Sequence, residues 1–249
     1  MSNTLAFQKN ITSQRGMILM SFAAIYIIWG STYLAVRFAV VSISPFLLSS
    51  FRFLFAGSIL LLIAKLTKAS LPNKHEIKNA SIIGLLLLVT GNGGVIWASQ
   101  FVPSSITALV ITIEPIWVVL ILWIKSKENK PSAIIWIGMF LGIIGIITLI
   151  GPSNYAQIAG VHPIGIIAIV LSSLSWAIGS VYSMQLTLPK NAFTSTGIQM
   201  FTASISMFII ASLLGEWEHF NPNEIKFTSI TAFMYLVLFG SLVGFTSYA

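Results

Sequence analysis

The chain has 249 residues, of which 56% are hydrophobic and only 8% charged. Soluble domains carry about 25% charged residues, so this composition cannot cover a water-facing surface and reads as an integral membrane protein. The net charge of +7 does not make it a nucleic-acid binder, because the lysines sit in short segments between apolar runs, where the bilayer is the natural partner. With no cysteine, disulfides, thiolate catalysis and cysteine metal sites are excluded.

About 20 apolar residues are needed to cross the hydrocarbon core as a helix. That length places spans near 17–36, 45–64, 80–99, 104–124, 132–150, 163–185, 194–214 and 228–248. Helices are required because lipid offers no partner to an unpaired backbone amide, and the runs are too uniformly apolar for barrel strands. The first run lacks a convincing cleavage site, so it reads as a retained helix behind a short N-terminal segment, 1–16.

In the first span, Tyr26, Trp29, Tyr33 and Arg37 fall on one helix face. They form a candidate aromatic wall of a cavity, against the plain alternative of packing with Arg37 at the interface. The second span carries Arg52. The third carries Asn92, whose amide needs partners in lipid, beside Gly93, Gly94 and Trp97, with the glycines better read as a packing notch. The fourth carries Glu114, followed by Pro115 and Trp117. Pro115 removes a backbone donor and frees the Ile111 carbonyl, so a bend is expected where the carboxylate sits. The sixth is unusually polar, with Ser172, Ser173, Ser175, Trp176, Ser180, Tyr182 and Ser183, and reads as cavity lining, although serines also bond back to their own helix.

Lysine and arginine divide unevenly between the two sides. Lys9, Arg15, Lys65, Lys68, Lys74, Lys78, Lys125, Lys127, Lys130 and Lys190 fall on one side, against Arg37 and Lys226 on the other. Cytoplasmic loops collect positive charge, so the N-terminus is expected in the cytoplasm.

The chain also repeats itself. Gly30-Ser31-Thr32-Tyr33 returns as Gly179-Ser180-Val181-Tyr182, 149 residues further on, with a tryptophan upstream of each. The layout of 49–57 returns at 196–204, with Gln199 where Arg52 stood, and 89–94 returns at 238–244. Five helices per repeat is an odd number, so the copies are expected to be inverted. Inverted repeats characterise secondary transporters, with the substrate near the midplane.

Trp29-Gly30-Ser31-Thr32-Tyr33, Phe51-Arg52-Phe53, Ile113-Glu114-Pro115 and Glu128 resemble the drug/metabolite transporter superfamily, and its ten-helix EamA-type branch most closely. The resemblance implies an all-α polytopic bundle of inverted five-helix repeats and export of amino acids, metabolites or drugs across the bacterial inner membrane. Two departures stand out: Lys125-Ser126-Lys127-Glu128 replaces the apolar residue and glycine that many relatives show before the glutamate, and the second repeat has three helices. The expected organisation is a cytoplasmic segment 1–16, a first repeat 17–150 and an incomplete second repeat 163–249, giving eight of ten helices in a C-terminally truncated chain.

The candidate substrate contacts are Trp29, Tyr33, Asn92, Trp97, Glu114, Trp117, Trp176, Ser180 and Tyr182. Arg52 and Glu114 are a candidate ion pair, because their depths along the membrane normal differ by only about 4–5 Å at 1.5 Å per residue. Three roles stay open for them: a structural pair or substrate contact, proton coupling through Glu114, or a snorkelling Arg52 beside a protonated Glu114. His75, His162 and His219 have no companions at ligand spacing, so no metal and no cofactor are expected. The expected partners are a small-molecule substrate, the bilayer and protons as a coupling ion, with the protein a monomer or homodimer. A membrane-embedded enzyme, a passive channel and a structural subunit are the competing classes; no phosphate loop, paired carboxylates or serine–histidine arrangement favours the first.

Overall fold

A computed structural model describes residues 2–125, 130–159 and 162–248. Eight helices run through the described residues. They are α1 (Ser2–Ala39), α2 (Pro45–Leu66), α3 (Lys74–Ala98), α4 (Ser104–Lys125), α5 (Ala133–Ala159), α6 (Pro163–Ser183), α7 (Ala192–Leu213) and α8 (Phe227–Tyr248). Seven are long and apolar enough to cross a membrane, and α5 contributes a shorter apolar stretch, Ala133–Gly145. This is a polytopic helical membrane bundle.

Three boundaries differ from expectation. The first helix runs back through the polar N-terminal segment to Ser2, and α5 continues to Ala159. Helix α3 begins at Lys74 because Asn73 and Glu76 form a capping box: Asn73 Oδ1 accepts from Glu76 N at 2.9 Å, and Glu76 Oε2 accepts from Asn73 N at 2.8 Å. That reciprocal pair satisfies two amides that the helix start would otherwise leave open. Ser126, Lys127 and Glu128 lie outside the described residues.

Apolar burial does not drive helices together in lipid, whose tails are as apolar as leucine; close packing and polar contacts do. Both are concentrated where α2 crosses α7. A Cβ on Gly57 would stand 3.2 Å from the Gly197 carbonyl oxygen, and one on Gly197 would stand 3.3 Å from that of Gly57. Ser50 Oγ donates to Ser204 O at 3.1 Å across the same crossing. Along the antiparallel α3–α6 seam, Gly179 receives Leu87, Gly91 receives Trp176 and Gly165 receives Val102. By contrast, α5 exposes Ile134, Ile137, Phe140 and Leu141, a surface suited to lipid.

Two irregularities shape the centre. Both α3 and α8 widen into π-helix, at Leu85–Asn92 and Leu236–Val243. These overlap the two stretches paired in the sequence, 89–94 and 238–244. Helix α4 breaks between Ile111 and Glu114, where Thr112 N and Ile113 N reach only to Leu109 O and Val110 O. Pro115 accounts for the break, since its ring excludes the Ile111 carbonyl and it has no amide to offer.

At the end of the bundle where α1 meets α2, loops are tied to helix ends. Arg37 Nη1 donates to Ser99 O at 2.5 Å, closing the C-terminus of α3, and Ser229 Oγ donates to Phe38 O at 2.8 Å. Glu216, between α7 and α8, caps α2 by accepting from Leu47 N at 2.9 Å and Phe46 N at 3.3 Å. Burial raises the Glu216 carboxyl above its usual 4.5, and the two amides only partly offset this. A folded-state pKa raised above the unfolded one gives a stability term that is full below about 4.5 and lost as pH rises through the folded value. Glu216→Gln is therefore expected to flatten the fall in melting temperature between mildly acidic and neutral buffer; an unchanged slope would remove Glu216 as its source.

Candidate functional site

At the centre of the bundle, α1, α2, α3, α4, α6 and α8 enclose one cavity. The room it leaves for water-sized contents is about 80 Å³. Trp29, Thr32 and Tyr33 enter from α1, Arg52 from α2, Asn92 from the end of the α3 π segment and Glu114 from just after the α4 break; Trp176 and Phe245 close it from α6 and α8.

The aromatics interlock across the cavity. Trp29 meets Trp176 edge-to-face at 5.5 Å and Phe245 at 5.2 Å between ring centroids. Trp29 Nε1 donates to Gly240 O at 3.4 Å, inside the π segment of α8. On the other side, Ser175 Oγ of α6 donates to Leu86 O at 2.9 Å, inside the π segment of α3. Side chains from the other part of the chain thus reach a carbonyl in each π segment.

The polar groups are arranged differently from the expected ion pair. Arg52 is 2% exposed, donates from Nε to Ser241 Oγ at 2.8 Å and lies 5.2 Å from the Phe53 ring. Glu114 borders the same cavity, but no salt bridge joins the two within 4.0 Å among the described residues. The expected pairing rested on depth alone, whereas lateral position, which spacing cannot give, puts them on different helices, α2 and α4. The cavity is thus lined by a guanidinium and a carboxylate that do not pair with each other. Asn92 Oδ1 is buried without any hydrogen-bond partner among the described residues.

Of the residues singled out in the sequence, Trp29, Tyr33, Arg52, Asn92, Glu114, Ser172, Ser173 and Trp176 line this cavity. The other candidates do not. Trp97 packs on Phe101 at 5.1 Å, and Trp117 Nε1 donates to Ser173 Oγ at 3.1 Å from behind the wall. Ser180 shares a hydrogen bond with Tyr248 at 2.7 Å in a second cavity toward the Lys190 end, together with Gln199. Tyr182 is exposed, with Lys125 Nζ 4.4 Å from its ring centroid. The α1 stripe splits as well: Tyr26 is 76% exposed and stacks on Phe22, and Arg37 serves the α3 terminus. Thr32, Gly91, Val95, Ile111 and Phe245 line the cavity without having been singled out as lining residues. Thr32 lies one turn from Trp29 within the repeated motif, which was the available signal. Among the described residues, no cluster of three histidine, aspartate or glutamate side chains could hold a metal ion.

A membrane-spanning helical bundle around a polar, aromatic cavity has the architecture of a solute carrier. The chain belongs to the EamA-like transporter family, which matches residues 14–151 and 163–249. It is 37% identical to the uncharacterized inner membrane transporter YedA of Escherichia coli K12, over 226 residues that make up 90% of this chain and 71% of that protein. An uncharacterized transporter of Buchnera aphidicola subsp. Schizaphis graminum is 27% identical, across 93% of this chain and 76% of its own. Protein PecM of Dickeya dadantii is 25% identical, across 88% and 69%. The protein is a membrane transporter of a small molecule.

Proposed function

We propose that the protein is a secondary transporter of the inner membrane that works by alternating access and exports its substrate. The N-terminus is cytoplasmic, residues 17–150 and 163–249 form inverted repeats, and the central cavity is the substrate site. One observation carries this reading: a single cavity draws Trp29, Arg52, Asn92 and Glu114 from the first stretch and Trp176 and Phe245 from the second. Such a site, at the interface of inverted repeats, is where rocking of one half against the other exposes substrate to alternate sides. The matching π segments of α3 and α8 support the pairing of the stretches, and the charge asymmetry supports the orientation.

The absence of cysteine makes the test direct. Single substitutions Ala69→Cys, Asn221→Cys and Thr32→Cys are probed in intact cells and inverted vesicles with a membrane-impermeant maleimide. Ala69→Cys is expected to react only from the cytoplasm and Asn221→Cys only from outside. Thr32→Cys, in the cavity, should react from either side. Labelling of the two loop positions from one side would sink the inverted arrangement, and labelling of Thr32→Cys from one side under every condition would sink alternating access.

A further inference from the structure

Arg52 brings more hydrogen-bonding capacity to the bundle centre than the protein itself uses. A guanidinium carries five N–H donors. Nε is engaged by Ser241 Oγ at 2.8 Å, while Nη1 and Nη2 have no hydrogen-bond partner among the described residues. Neither Nη atom is sealed, because Asn92 Oδ1 is the one side-chain atom both fully buried and unpartnered among the described residues. Arg52 lies in the cavity wall and is only 2% exposed, so these donors open onto the cavity. Asn92 adds to the same pole. With Oδ1 sealed, its amide meets the cavity through Nδ2, a further donor without a partner among the described residues.

The guanidinium is held in position by its neighbours. Ser241 fixes Nε, the Phe53 ring lies 5.2 Å from Cζ, and Gly240 leaves room for Nη2. A Cβ on Gly240 would stand 3.1 Å from Arg52 Nη2 and 3.1 Å from Thr32 Cγ2, so Thr32 adjoins the same spot. A planar fork fixed in this way is preorganised for paired bonds to a carboxylate. A full charge at membrane depth is costly and marks a functional group by default, which a guanidinium with idle donors bears out.

Glu114 limits the anion that fits. It lines the same cavity from α4 without a salt bridge to Arg52 among the described residues. A phosphate dianion would set its second charge against that carboxylate, and a single carboxylate would not. The room of about 80 Å³ also favours a small molecule, since one water takes roughly 10–15 Å³.

Resting on the reading of the central cavity as the substrate site, we propose that Arg52 and Asn92 form a donor pole that binds a carboxylate, and that the substrates are small molecules whose anionic group is a single carboxylate. Arg52 takes the carboxylate through its Nη donors, and Asn92 adds an N–H from Nδ2. Trp29, Trp176 and Glu114 are left to meet the rest of the molecule.

The probes are isovalerate and isovaleramide, which share size and shape and differ in charge. Binding is measured at neutral pH by titration calorimetry on the purified protein in nanodiscs. Wild type is expected to bind isovalerate at least about tenfold more tightly, as a desolvated charge-assisted contact requires. Arg52→Gln should bring that ratio close to one. Arg52→Lys, which keeps the charge and guards against a misfolded glutamine variant, should preserve part of it. Asn92→Leu should weaken both probes alike, since each offers an oxygen to Nδ2. A wild-type ratio near one, binding of neither probe, a ratio unchanged in a folded Arg52→Gln, or tighter binding of inorganic phosphate than of isovalerate would overturn the proposal. Failure of the cavity reading looks different, because it shows in the maleimide labelling of Thr32→Cys from one side alone, with no probe present. Where that labelling comes from both sides, isovalerate should slow it and isovaleramide should not; equal protection by the two would count against the carboxylate pole alone.

Discussion

Arg52→Gln is expected to lower transport at least about a hundredfold per folded molecule while the bundle still assembles. Losing a desolvated, charge-assisted contact to a ligand costs about 2–5 kcal/mol, and each 1.4 kcal/mol is a factor of ten. Folding is expected to survive because holding a guanidinium at membrane depth itself costs about 2.5–3.5 kcal/mol, which the neutral side chain does not incur. What the fold loses is the Nε bond to Ser241, worth about 1 kcal/mol, and the stacking on Phe53. Arg52→Lys should recover only part of the activity, since an ammonium keeps the charge but not the planar fork of donors. The check is uptake into proteoliposomes, normalised to folded protein, beside a thermal melt. Should Arg52→Gln transport normally and melt lower, with Ser241→Ala melting lower too, the guanidinium serves to hold α2 against α8.

Much of the bundle was legible because the bilayer imposes its thickness on the sequence. Every expected span falls on a helix, seven of them long and apolar enough to cross a membrane, and the bounds agree within a few positions except at the starts of α1 and α3 and the end of α5. The errors have local causes. The early start of α3 was written in Asn73 and Glu76, which hydropathy does not weigh but capping chemistry does. The π segments of α3 and α8 were not legible, because a change from i−4 to i−5 bonding leaves no mark on composition. Their positions were nonetheless foreshadowed, since Gly91 and Gly240 sit in stretches that the repeat had already paired.

For the site, helical spacing predicts a face but not what that face meets. Tyr26 shares a stripe with Trp29 and Tyr33 yet is exposed, while further along α1 Ser31 and Tyr235 of α8 share a hydrogen bond at 2.6 Å and Trp29 meets Trp176 of α6. Trp117 was read as a cavity residue and instead braces Ser173 from outside, a distinction of one helix face. Arg52 and Glu114 line one cavity without a salt bridge between them among the described residues, which spacing along the chain cannot foretell because it carries no lateral position. What spacing could supply was the inventory of the polar groups, and the fold supplied their division between walls.

That division makes Glu114→Gln the second large-effect experiment. Glu114 begins the second half of α4, directly after the break, so its carboxylate is carried on a segment whose helical bonding is interrupted from the helix before it. An unpaired carboxylate at membrane depth is costly, and that cost falls when it takes up a proton or meets a cationic ligand. The two events compete for one group, which is the minimum needed to exchange a proton for substrate. We therefore expect wild-type vesicles to accumulate substrate in response to an imposed pH gradient. Glu114→Gln should still exchange substrate across the membrane at equal pH but lose most of the gradient-driven accumulation, by about tenfold or more, as expected for a group worth upwards of 1.4 kcal/mol to the coupling. Glu114→Asp, which keeps a titratable group on a shorter stem, should restore part of the gradient response. Accumulation by Glu114→Gln that still follows the gradient would place the coupling proton elsewhere. Loss of folded protein, rescued by adding Arg52→Gln, would instead show that the two charges do meet in some state of the transport cycle and hold each other there.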